Sequence, residues 1–457
     1  MATTIPEARG LPLVGNLPAF VRDPVETLLA AIREHGPLVR FNLGPGAMTV
    51  VAHPADLKHV LQEHNRKYVR GRTVDMIRPM LGNGLPLSDG DFWLRQRRIM
   101  QPSFNRPKIA GLVATIVAVA RRYLDGLRDG AEIETHYLMM RITRDVIVET
   151  MFSDELGGEA APLDEALATI ERYVARYAFL PIKIPLWLPI PDNRRFRRAL
   201  DTLDRTVYGL IDRRDAEGAG AGEPRDLLDA LLRARDPETG RGMSKAELRD
   251  EVMNIFFAGH ETTANLLTWT TLMLTQHPDV AARLQAEVDA VVGARDPVAD
   301  DVARLEYTGA VLRETLRVRP PAWLFAREAA EDDELRGYRV PRGTALTIFP
   351  LATHRLPEFW PEPERFDPER FLRDPSLGIG GGKTFAYLPF GAGPHVCIGN
   401  HFALAEAAIV LAMLAQRGRL RALRPERARP RPAATLHVDG GLPARFEARP
   451  AGPAVVR

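Results

Sequence analysis

Cys397, the only cysteine among 457 residues, lies in the sequence FGAGPHVCIG at residues 390–399. Turn-forming residues precede it, at Gly391, Gly393 and Pro394, and a helix-forming sequence, IGNHFALAEAAIVLAML, follows it. This order predicts that the sulfur lies near a helix N-terminus, where unpaired N–H groups and the helix dipole stabilise a thiolate. Because the thiolate is the form of cysteine that binds metals, Cys397 is a candidate metal ligand, although an isolated cysteine is more often an inert buried residue.

A single cysteine also limits the sulfur chemistry that the chain can perform. It excludes an intrachain disulfide, a zinc knuckle and a cysteine-ligated iron–sulfur cluster, and it is compatible with a reducing compartment. The Cys-x-x-Cys-His sequence that attaches c-type haem covalently is absent. Gly399 leaves no side chain at the start of the following helix, where a flat cofactor could lie against the backbone.

A second unusual sequence, AGHETT at residues 258–263, interrupts a long apolar stretch. Gly259 costs up to about 1 kcal/mol of helix propensity relative to alanine, and the hydroxyl of Thr262 can bond to a carbonyl of the preceding turn. The result is a local groove with an acid, Glu261, and an alcohol. Such a pair facing a cavity could relay protons to a bound oxygen species, whereas the simpler interpretation is a small-residue crossing point between packed helices.

The third candidate is ETLR at residues 314–317, close to the end of a helix that Pro320 and Pro321 terminate. A spacing of three residues places Glu314 and Arg317 on one helix face. Taken alone, this pattern is typical of a surface ion pair worth a few tenths of a kcal/mol.

The elements that must position these residues are mainly helical. A capping-box pattern at Ser244 and Glu247 starts a helix that nothing stops before Pro278, so we predict a helix of roughly 50 Å. Residues 38–51 alternate around Gly-Pro-Gly and predict a β-hairpin. Further predicted elements are short strands at 337–340 and 345–348, a helix that begins at about Ile398, and a hairpin-like tail at 436–449. The fold class is therefore mainly α with a small β portion.

The length and composition of the chain are typical of a globular protein. The chain is 45% hydrophobic and 26% charged, with neither repeats nor Gly/Ser linkers, so we expect a single domain over residues 1–457. A net charge of +2 is too balanced for nucleic-acid binding across the whole chain. Neither a signal peptide nor an apolar run of roughly 20 residues is present, which predicts a soluble, cytoplasmic protein without a transmembrane anchor.

Taken together, these sequences resemble the cytochrome P450 family over nearly the whole chain and in the family's order. FGAGPHVCIG resembles the haem-binding loop, which begins here at Phe390 and implies that Cys397 is the axial thiolate of haem b. AGHETT is similar to the oxygen-activation motif, so the resemblance assigns proton delivery to Thr262 and Glu261. ETLR matches the family's Glu-x-x-Arg pair, which is joined in a network by an arginine-bearing segment, here PERF at 368–371 or PERF at 363–366.

The resemblance also implies how the haem propionates are held. WLRQRR at residues 93–98 matches a Trp-x-x-x-Arg element, in which Trp93 and Arg97 would contact a propionate. Where the family usually has arginine, two positions before the cysteine, this chain has His395, a shorter and partly charged donor. Arg327, in the strand after the Pro-Pro turn, is a further candidate propionate partner by analogy with relatives that carry a basic residue there.

The expected function is that of a haem-thiolate monooxygenase, with the P450 fold, that inserts one atom of O₂ into a C–H or C=C bond. No flavin or nicotinamide fingerprint is present, so electrons would come from a ferredoxin or flavodoxin-type donor with an NAD(P)H reductase. Apolar candidate pocket segments at 76–77, 179–191, 256–257 and 322–325 predict a lipophilic substrate. A terpene is the first candidate, before steroid, fatty acyl or polyketide substrates, and a monomer is expected. The alternatives are a peroxide-driven peroxygenase or isomerase and a non-catalytic haem-binding carrier or sensor.

Overall fold

The computed structural model describes residues 3–44, 46–75, 77–153, 160–177, 184–217 and 224–449. Over these residues the protein is mainly helical with small sheets, which confirms the predicted fold class. The α-helices are α1 Leu17–Arg22, α2 Pro24–His35, α3 Pro54–Lys58, α4 Arg78–Leu81, α5 Gly90–Met100, α6 Arg106–Leu124, α7 Thr135–Phe152, α8 Ala160–Tyr177, α9 Pro191–Glu217, α10 Leu227–Arg233, α11 Lys245–Gln276, α12 Pro278–Val291, α13 Ala299–Arg304, α14 Glu306–Val318, α15 Pro350–Thr353, α16 Arg370–Arg373 and α17 Asn400–Arg417.

The strands form one five-stranded sheet and three smaller ones. The largest sheet has the order β1-β2-β8-β5-β3, β12 lies between β4 and β9, and β6 with β7 and β10 with β11 form separate pairs. The strands are β1 Leu38–Asn42, β2 Ala47–Val51, β3 Tyr68–Val69, β4 Glu132–Glu134, β5 Phe325–Ala329, β6 Asp333–Leu335, β7 Tyr338–Val340, β8 Ala345–Ile348, β9 Gly418–Ala422, β10 Pro430–Pro432, β11 Leu436–Val438 and β12 Pro443–Ala448.

The predicted hairpin at 38–51 is confirmed. Its two strands pair antiparallel with Leu38 opposite Val51, and β2 then pairs parallel with β8, almost 300 residues further along the chain. The alternation that predicted the strands reflects burial, since Val39 and Val50 are fully buried in the cluster between this sheet and α2. This sheet matters for the site because β5 carries Arg327 and β3 ends next to Arg70.

The long helix is also confirmed, since α11 spans 32 residues from Lys245 to Gln276. Both hydrogen bonds of the capping box at Ser244 and Glu247 are present. Most of α11 is buried, and it packs extensively against α7. A Cβ on Gly259 would approach Cδ1 of Ile147 on α7 to 2.6 Å, so this glycine does mark a close helix crossing. For Gly259, the interpretation of AGHETT as a small-residue crossing point between packed helices is thus correct.

The tail at 436–449 is not a hairpin, contrary to the prediction. β11 pairs with β10, whereas β12 pairs with β4 and β9. Gly440 and Gly441 both have positive φ angles and turn the chain from one sheet into the other. The Gly-Gly turn was recognised correctly, but a turn does not determine whether its flanking strands pair with each other.

Glu314 and Arg317 form a buried ion pair on α14 rather than a surface pair. Arg317 donates two hydrogen bonds of 2.7 Å to the carboxylate and others to the carbonyls of Pro363 and Arg365. The guanidinium of Arg370 lies 3.5 Å from the same carboxylate. The second PERF sequence, 368–371, therefore supplies the arginine side chain of the network, and the first supplies backbone acceptors.

His354 links this network to the segment before Cys397. Its burial predicts that the stability of the fold decreases in acid. Its Nε2 accepts a hydrogen bond from the N–H of Leu388 at 2.8 Å, so the buried ring is neutral and donates from Nδ1 to the carbonyl of Arg317. Burial and the charge of Arg317 lower the pKa of His354 from 6.5 to about 3. Between these pH values the unfolded chain binds a proton that the folded chain does not, so the free energy of unfolding falls as the pH decreases from 6.5 towards 3.

Urea unfolding across this pH range measures the effect. In His354→Gln the contribution from this ring is absent, so the curve of stability against pH should become flatter, while the exposed His64→Gln variant should keep the wild-type slope. A His354→Gln variant with an unchanged slope would contradict the assignment.

Most helices share one large apolar core, and two smaller clusters lie beside the five-stranded sheet. None of the described helices combines the length and the apolar character needed to cross a membrane. The organisation as one domain stays a prediction.

Candidate active site

The loop that carries Cys397 is held from both sides. The N–H of Cys397 donates to the carbonyl of Phe390 at 2.9 Å, and Asn400 Nδ2 donates to the carbonyl of Cys397 at 3.0 Å. Gly393 has φ 68°, and a Cβ there would lie 1.9 Å from the carbonyl oxygen of Leu61, so only glycine allows this close packing. α17 begins at Asn400, two residues later than predicted.

Cys397 has exposed surface, although protein atoms also lie around its sulfur. Burial raises the pKa of the Cys397 thiol, and the Gly399 N–H together with the charge of Arg97 offsets this only in part. The expected stabilisation of the thiolate by the helix end is therefore present but smaller than the cost of burial. A bound metal cation would reverse this balance, since coordination deprotonates a thiol outright.

One face of α11 is left partly uncovered by the other described residues. Ala258 is exposed and Thr262 half-buried, whereas Phe257, His260 and Thr263 on the adjoining faces are buried. Ala258 and Thr262 are four residues apart and so share a face. Thr262 Oγ1 donates to the carbonyl of Ala258 at 2.7 Å, which leaves the oxygen lone pairs as acceptors towards the open side.

Glu261, one residue earlier, is directed towards a different element. Its Oε1 accepts a hydrogen bond from Thr435 Oγ1 at 2.7 Å and lies 2.8 Å from Nε2 of His437 on β11. Burial alone would raise the pKa of Glu261, but the hydrogen bond and charge of His437, together with Thr435, outweigh burial and lower that pKa. In this arrangement Glu261 is an ionised carboxylate, and its contact with Thr262 is through the backbone only.

Positive charge is concentrated near His395. Arg97 donates to the carbonyl of Val396 at 2.8 Å, and Arg70 Nη2 lies 3.1 Å from Nδ1 of His395. Burial and the charges of Arg70, Arg327 and Arg97 lower the pKa of His395 to about 3, so this ring is neutral and surrounded by three guanidinium groups. The indole of Trp93 lies 3.9 Å from the imidazole of His395, centroid to centroid.

Arg327 is the most unusual of these cations. It is 4% exposed, and its one hydrogen bond to a described residue goes to the neighbouring carbonyl of Ala326. Burial and the charge of Arg70 lower the pKa of Arg327, and the charge of Asp89 counteracts this only partly. In the part of the chain that the structure describes, neither Arg327 nor Arg97 forms an ion pair with a carboxylate. The guanidinium of Arg327 also lies 5.4 Å from the ring centroid of Phe325, but a buried cation without a counter-ion is costly, so this cluster is suited to binding an anion.

These features fit haem b. Its two propionates would pair with Arg97 and Arg327, and Cys397 would supply the axial sulfur. A Cβ on Gly399 would have no protein atom within 4 Å, which leaves open space beside the sulfur for a flat ring. The predicted haem residues Cys397, Phe390, Trp93, Arg97, His395 and Arg327 thus come together from the loop, α5 and β5.

Sequence reasoning missed two groups of residues. Arg70 follows β3, and only the pairing of β3 with β5 places it beside Arg327. His437, which helps to hold Glu261, belongs to the tail that was interpreted as a hairpin, and Thr435 immediately precedes that tail. No local pattern identified these residues.

The candidate pocket segments lie partly outside the described residues. Met76 and residues 178–183 lie outside the described residues. Phe256 and Phe257 are buried in the large core, in edge-to-face contact with each other. Trp323 is fully buried beside the five-stranded sheet and donates to the carbonyl of Ala433, so this member of 322–325 is a structural residue.

Comparison with known proteins identifies one matching family and several similar proteins. Residues 5–437 match the family described as Cytochrome P450. A cyclooctat-9-en-7-ol 5-monooxygenase of Streptomyces melanosporofaciens is 39% identical over 90% of this chain and 88% of that protein. Cyclooctatin synthase of the same organism is 37% identical over 93% and 92% of the two chains, and pentalenene oxygenase of Streptomyces avermitilis is 34% identical over 99% and 98%.

The match covers every element that the site uses, from β3 and α5 through α11 and α14 to the start of β11. The family match agrees with two features of the site. The thiol of Cys397 lies beside a cluster of arginines, and the hydroxyl of Thr262 lies on the open face of α11. The chain therefore belongs to the cytochrome P450 family and is a monooxygenase that binds haem b.

Proposed function

We propose that this monooxygenase oxidises a terpene, inserting one oxygen atom of O₂ into a C–H or C=C bond. The observation that carries the proposal is the uncharged open face of α11 at Ala258 and Thr262, which suits an apolar substrate. Support also comes from the relatives named cyclooctat-9-en-7-ol 5-monooxygenase, cyclooctatin synthase and pentalenene oxygenase.

The electrons would come from a separate ferredoxin or flavodoxin-type protein with its NAD(P)H reductase. The sequence contains neither a nicotinamide nor a flavin fingerprint, and one cysteine cannot hold an iron–sulfur cluster. A free thiol and dependence on reduced carriers are compatible with the cytoplasm, which we propose as the location.

Haem b, when bound, supplies the activation of dioxygen, and the protein supplies orientation and protons. Thr262 Oγ1 has its hydrogen on the carbonyl of Ala258, so it can accept a hydrogen bond from a water on the open side of α11. Glu261 can bring a proton to this region only by turning its carboxylate from Thr435 and His437 towards Thr262.

The test is reconstitution of the haem protein with a surrogate ferredoxin, its reductase and NADPH, using a panel of sesquiterpene and diterpene hydrocarbons. Each compound is first screened for a change in the haem absorption spectrum and then for oxygenated product by mass spectrometry. We expect oxidation of at least one terpene, with incorporation of ¹⁸O from ¹⁸O₂ and dependence on all three donor components.

Two results would overturn the proposal. Oxidation of fatty acids or steroids but of no terpene would refute the substrate class. Product formation with hydrogen peroxide but not with the ferredoxin system would refute the electron source and favour a peroxygenase. A Cys397→Ser variant serves as the control for background chemistry.

Replacing Thr262 by valine is expected to lower the yield of product per NADPH by about tenfold to a hundredfold, because general acid–base contributions have at least this size. Valine has the same shape but cannot orient a water. Thr268→Val on the same helix is the matched control, since Thr268 is buried and its hydroxyl also bonds to a backbone carbonyl. Equal yields in both variants would contradict a role for Thr262.

Replacing Arg327 by glutamine should have opposite effects on the two forms of the protein. The apoprotein should become more resistant to urea, because a buried unpaired cation is removed. The haem protein should release haem about 10- to 100-fold faster to apomyoglobin, because a charge-assisted bond contributes about 1.5–3 kcal/mol. Arg339→Gln, at an exposed pair with Asp332, is the control. Unchanged haem release would contradict the propionate assignment.

A further inference from the structure

Three side chains on one face of α11 bind the segment at 435–437. Glu261, Asn265 and Trp269 follow each other at intervals of four residues. Asn265 Nδ2 donates to Thr435 Oγ1 at 2.9 Å, and Trp269 Nε1 donates to the carbonyl of Leu436 at 2.9 Å. This face fixes β11 against the long helix directly beside the residue that precedes Thr262.

The hydrogen bonds at Glu261 determine where one proton lies. Thr435 has a single hydroxyl hydrogen, and it is donated to Oε1 of Glu261. His437 Nε2 lies 2.8 Å from the same oxygen, and an ionised carboxylate can only accept. Nε2 of His437 also lies 3.0 Å from Thr435 Oγ1, so a hydrogen on Nε2 is shared between this hydroxyl oxygen and the carboxylate of Glu261.

His437 is the more exposed residue of the pair. The side chain of His437 is 24% exposed, whereas that of Glu261 is 13% exposed and lies on α11, next in sequence to Thr262. The lowered pKa of Glu261 means that this carboxylate does not store a proton between turnovers. Each proton that Glu261 passes on must first reach it from a neighbour, and His437 is a titratable neighbour at 2.8 Å with a partly exposed side chain.

We propose that His437 is a proton-relay residue, which acts through Glu261 to supply protons from solvent for the oxidation that Thr262 supports. In the step, the imidazolium gives its Nε2 proton to Oε1 of Glu261, which leaves a neutral imidazole with hydrogen on Nδ1 and a neutral carboxylic acid. His437 regains a proton from water, and Glu261 regains its charge when it passes its proton on. One proton moves inwards for each cycle, and no electron is transferred. The inference rests on the role proposed for Glu261 and Thr262.

Other charged or titratable groups surround the pair. The ring of His136 lies 5.4 Å from that of His437, centroid to centroid, and Arg431 on β10 is directly opposite His437 in the strand pairing. On α11, the charge of His260 acts on Glu261. A pH profile alone would therefore mix several groups, and the test depends on substitutions at His437 itself.

Two substitutions separate a relay from a structural contact. Gln at position 437 can still donate an N–H to Glu261 but cannot take up a proton, whereas arginine keeps both the positive charge and the donors but does not release its proton. Asn265→Ala is the matched control, because it removes a buried hydrogen bond from the same contact to Thr435 and leaves His437 in place.

The measurement is the rate of dioxygen consumption by the reconstituted haem protein with surrogate ferredoxin, reductase and NADPH, in H₂O and in D₂O. For His437→Gln and His437→Arg we expect the rate of dioxygen consumption to fall at least about tenfold, since general acid–base steps contribute about 10²- to 10⁴-fold. We also expect a larger solvent isotope effect than in the wild type. Asn265→Ala should keep both quantities within about twofold of the wild type.

Two outcomes would overturn the relay. Wild-type rates in His437→Arg would mean that charge alone is needed, and an equal loss in Asn265→Ala would mean that the contact is structural. Dioxygen consumption can be measured without a terpene, and the carbon monoxide spectrum of each variant reports the haem site. A failure of the terpene proposal is therefore distinguishable from a failure of the relay.

Discussion

Serine at position 397 is expected to abolish the long-wavelength absorption band of the carbon monoxide complex of the reduced haem protein, together with all NADPH-dependent oxidation. Serine has nearly the same shape as cysteine, but its hydroxyl is far less acidic, and burial already raises the pKa of the Cys397 thiol. The electron donation of a thiolate, which favours O–O cleavage, is therefore lost. The measurement is the difference spectrum of Cys397→Ser beside the wild type, followed by product analysis.

Asn400→Ala is the control for this prediction. Asn400 donates to the carbonyl of Cys397 at 3.0 Å, so its removal disturbs the same loop but leaves the sulfur in place. We expect this variant to keep the band and most of the activity. A wild-type band in Cys397→Ser would show that another residue ligates the iron, and the catalytic argument would fail with it.

Replacing Glu314 by alanine is expected to destabilise the fold by about 3–5 kcal/mol, because it leaves the buried guanidinium of Arg317 without its counter-ion. Both side chains are fully buried, and Glu314 also accepts a hydrogen bond from the N–H of Asp367 at 2.9 Å. The loss is a large part of the total stability of a typical domain. Urea unfolding followed by circular dichroism, together with the yield of soluble haem protein, measures it.

Arg365→Ala is the matched control for the buried pair. Its side chain forms an exposed ion pair with Glu362, and such pairs contribute about 0–1 kcal/mol. The carbonyl of Arg365, which accepts from Arg317, is retained in the variant. A Glu314→Ala variant as stable as Arg365→Ala would contradict the view that the buried network supports the fold.

Local sequence patterns predicted a large part of the fold and of the site. The long helix follows from a capping box at its start and a proline after its end, signals that act within a few residues. The turn-forming residues before Cys397 similarly predicted a loop that leads into a helix. The three-residue spacing of Glu314 and Arg317 gave their shared face but not their burial, because burial depends on the segment at 363–370 that packs over them.

The resemblance to a family added roles for these residues that no local pattern supplies. The structure brings Trp93, Arg97, His395 and Arg327 together around the loop of Cys397. Thr262 lies on the open face of α11, whereas Glu261 is turned towards β11. The assigned pair is thus adjacent in sequence but separated in direction, since successive residues on a helix point about 100° apart.

By itself the sequence determined the helical class, the long helix, the hairpin at 38–51 and the identity of the one possible thiolate ligand. Only the tertiary structure decided which cations gather near that sulfur, since Arg70 and His395 are 325 residues apart and meet through the packing of separate elements. Likewise Thr435 reaches Glu261 across 174 residues. Capping, turns and helix periodicity depend on neighbours a few positions away, but the pairing of distant strands depends on how the whole chain packs, and no local pattern encodes it.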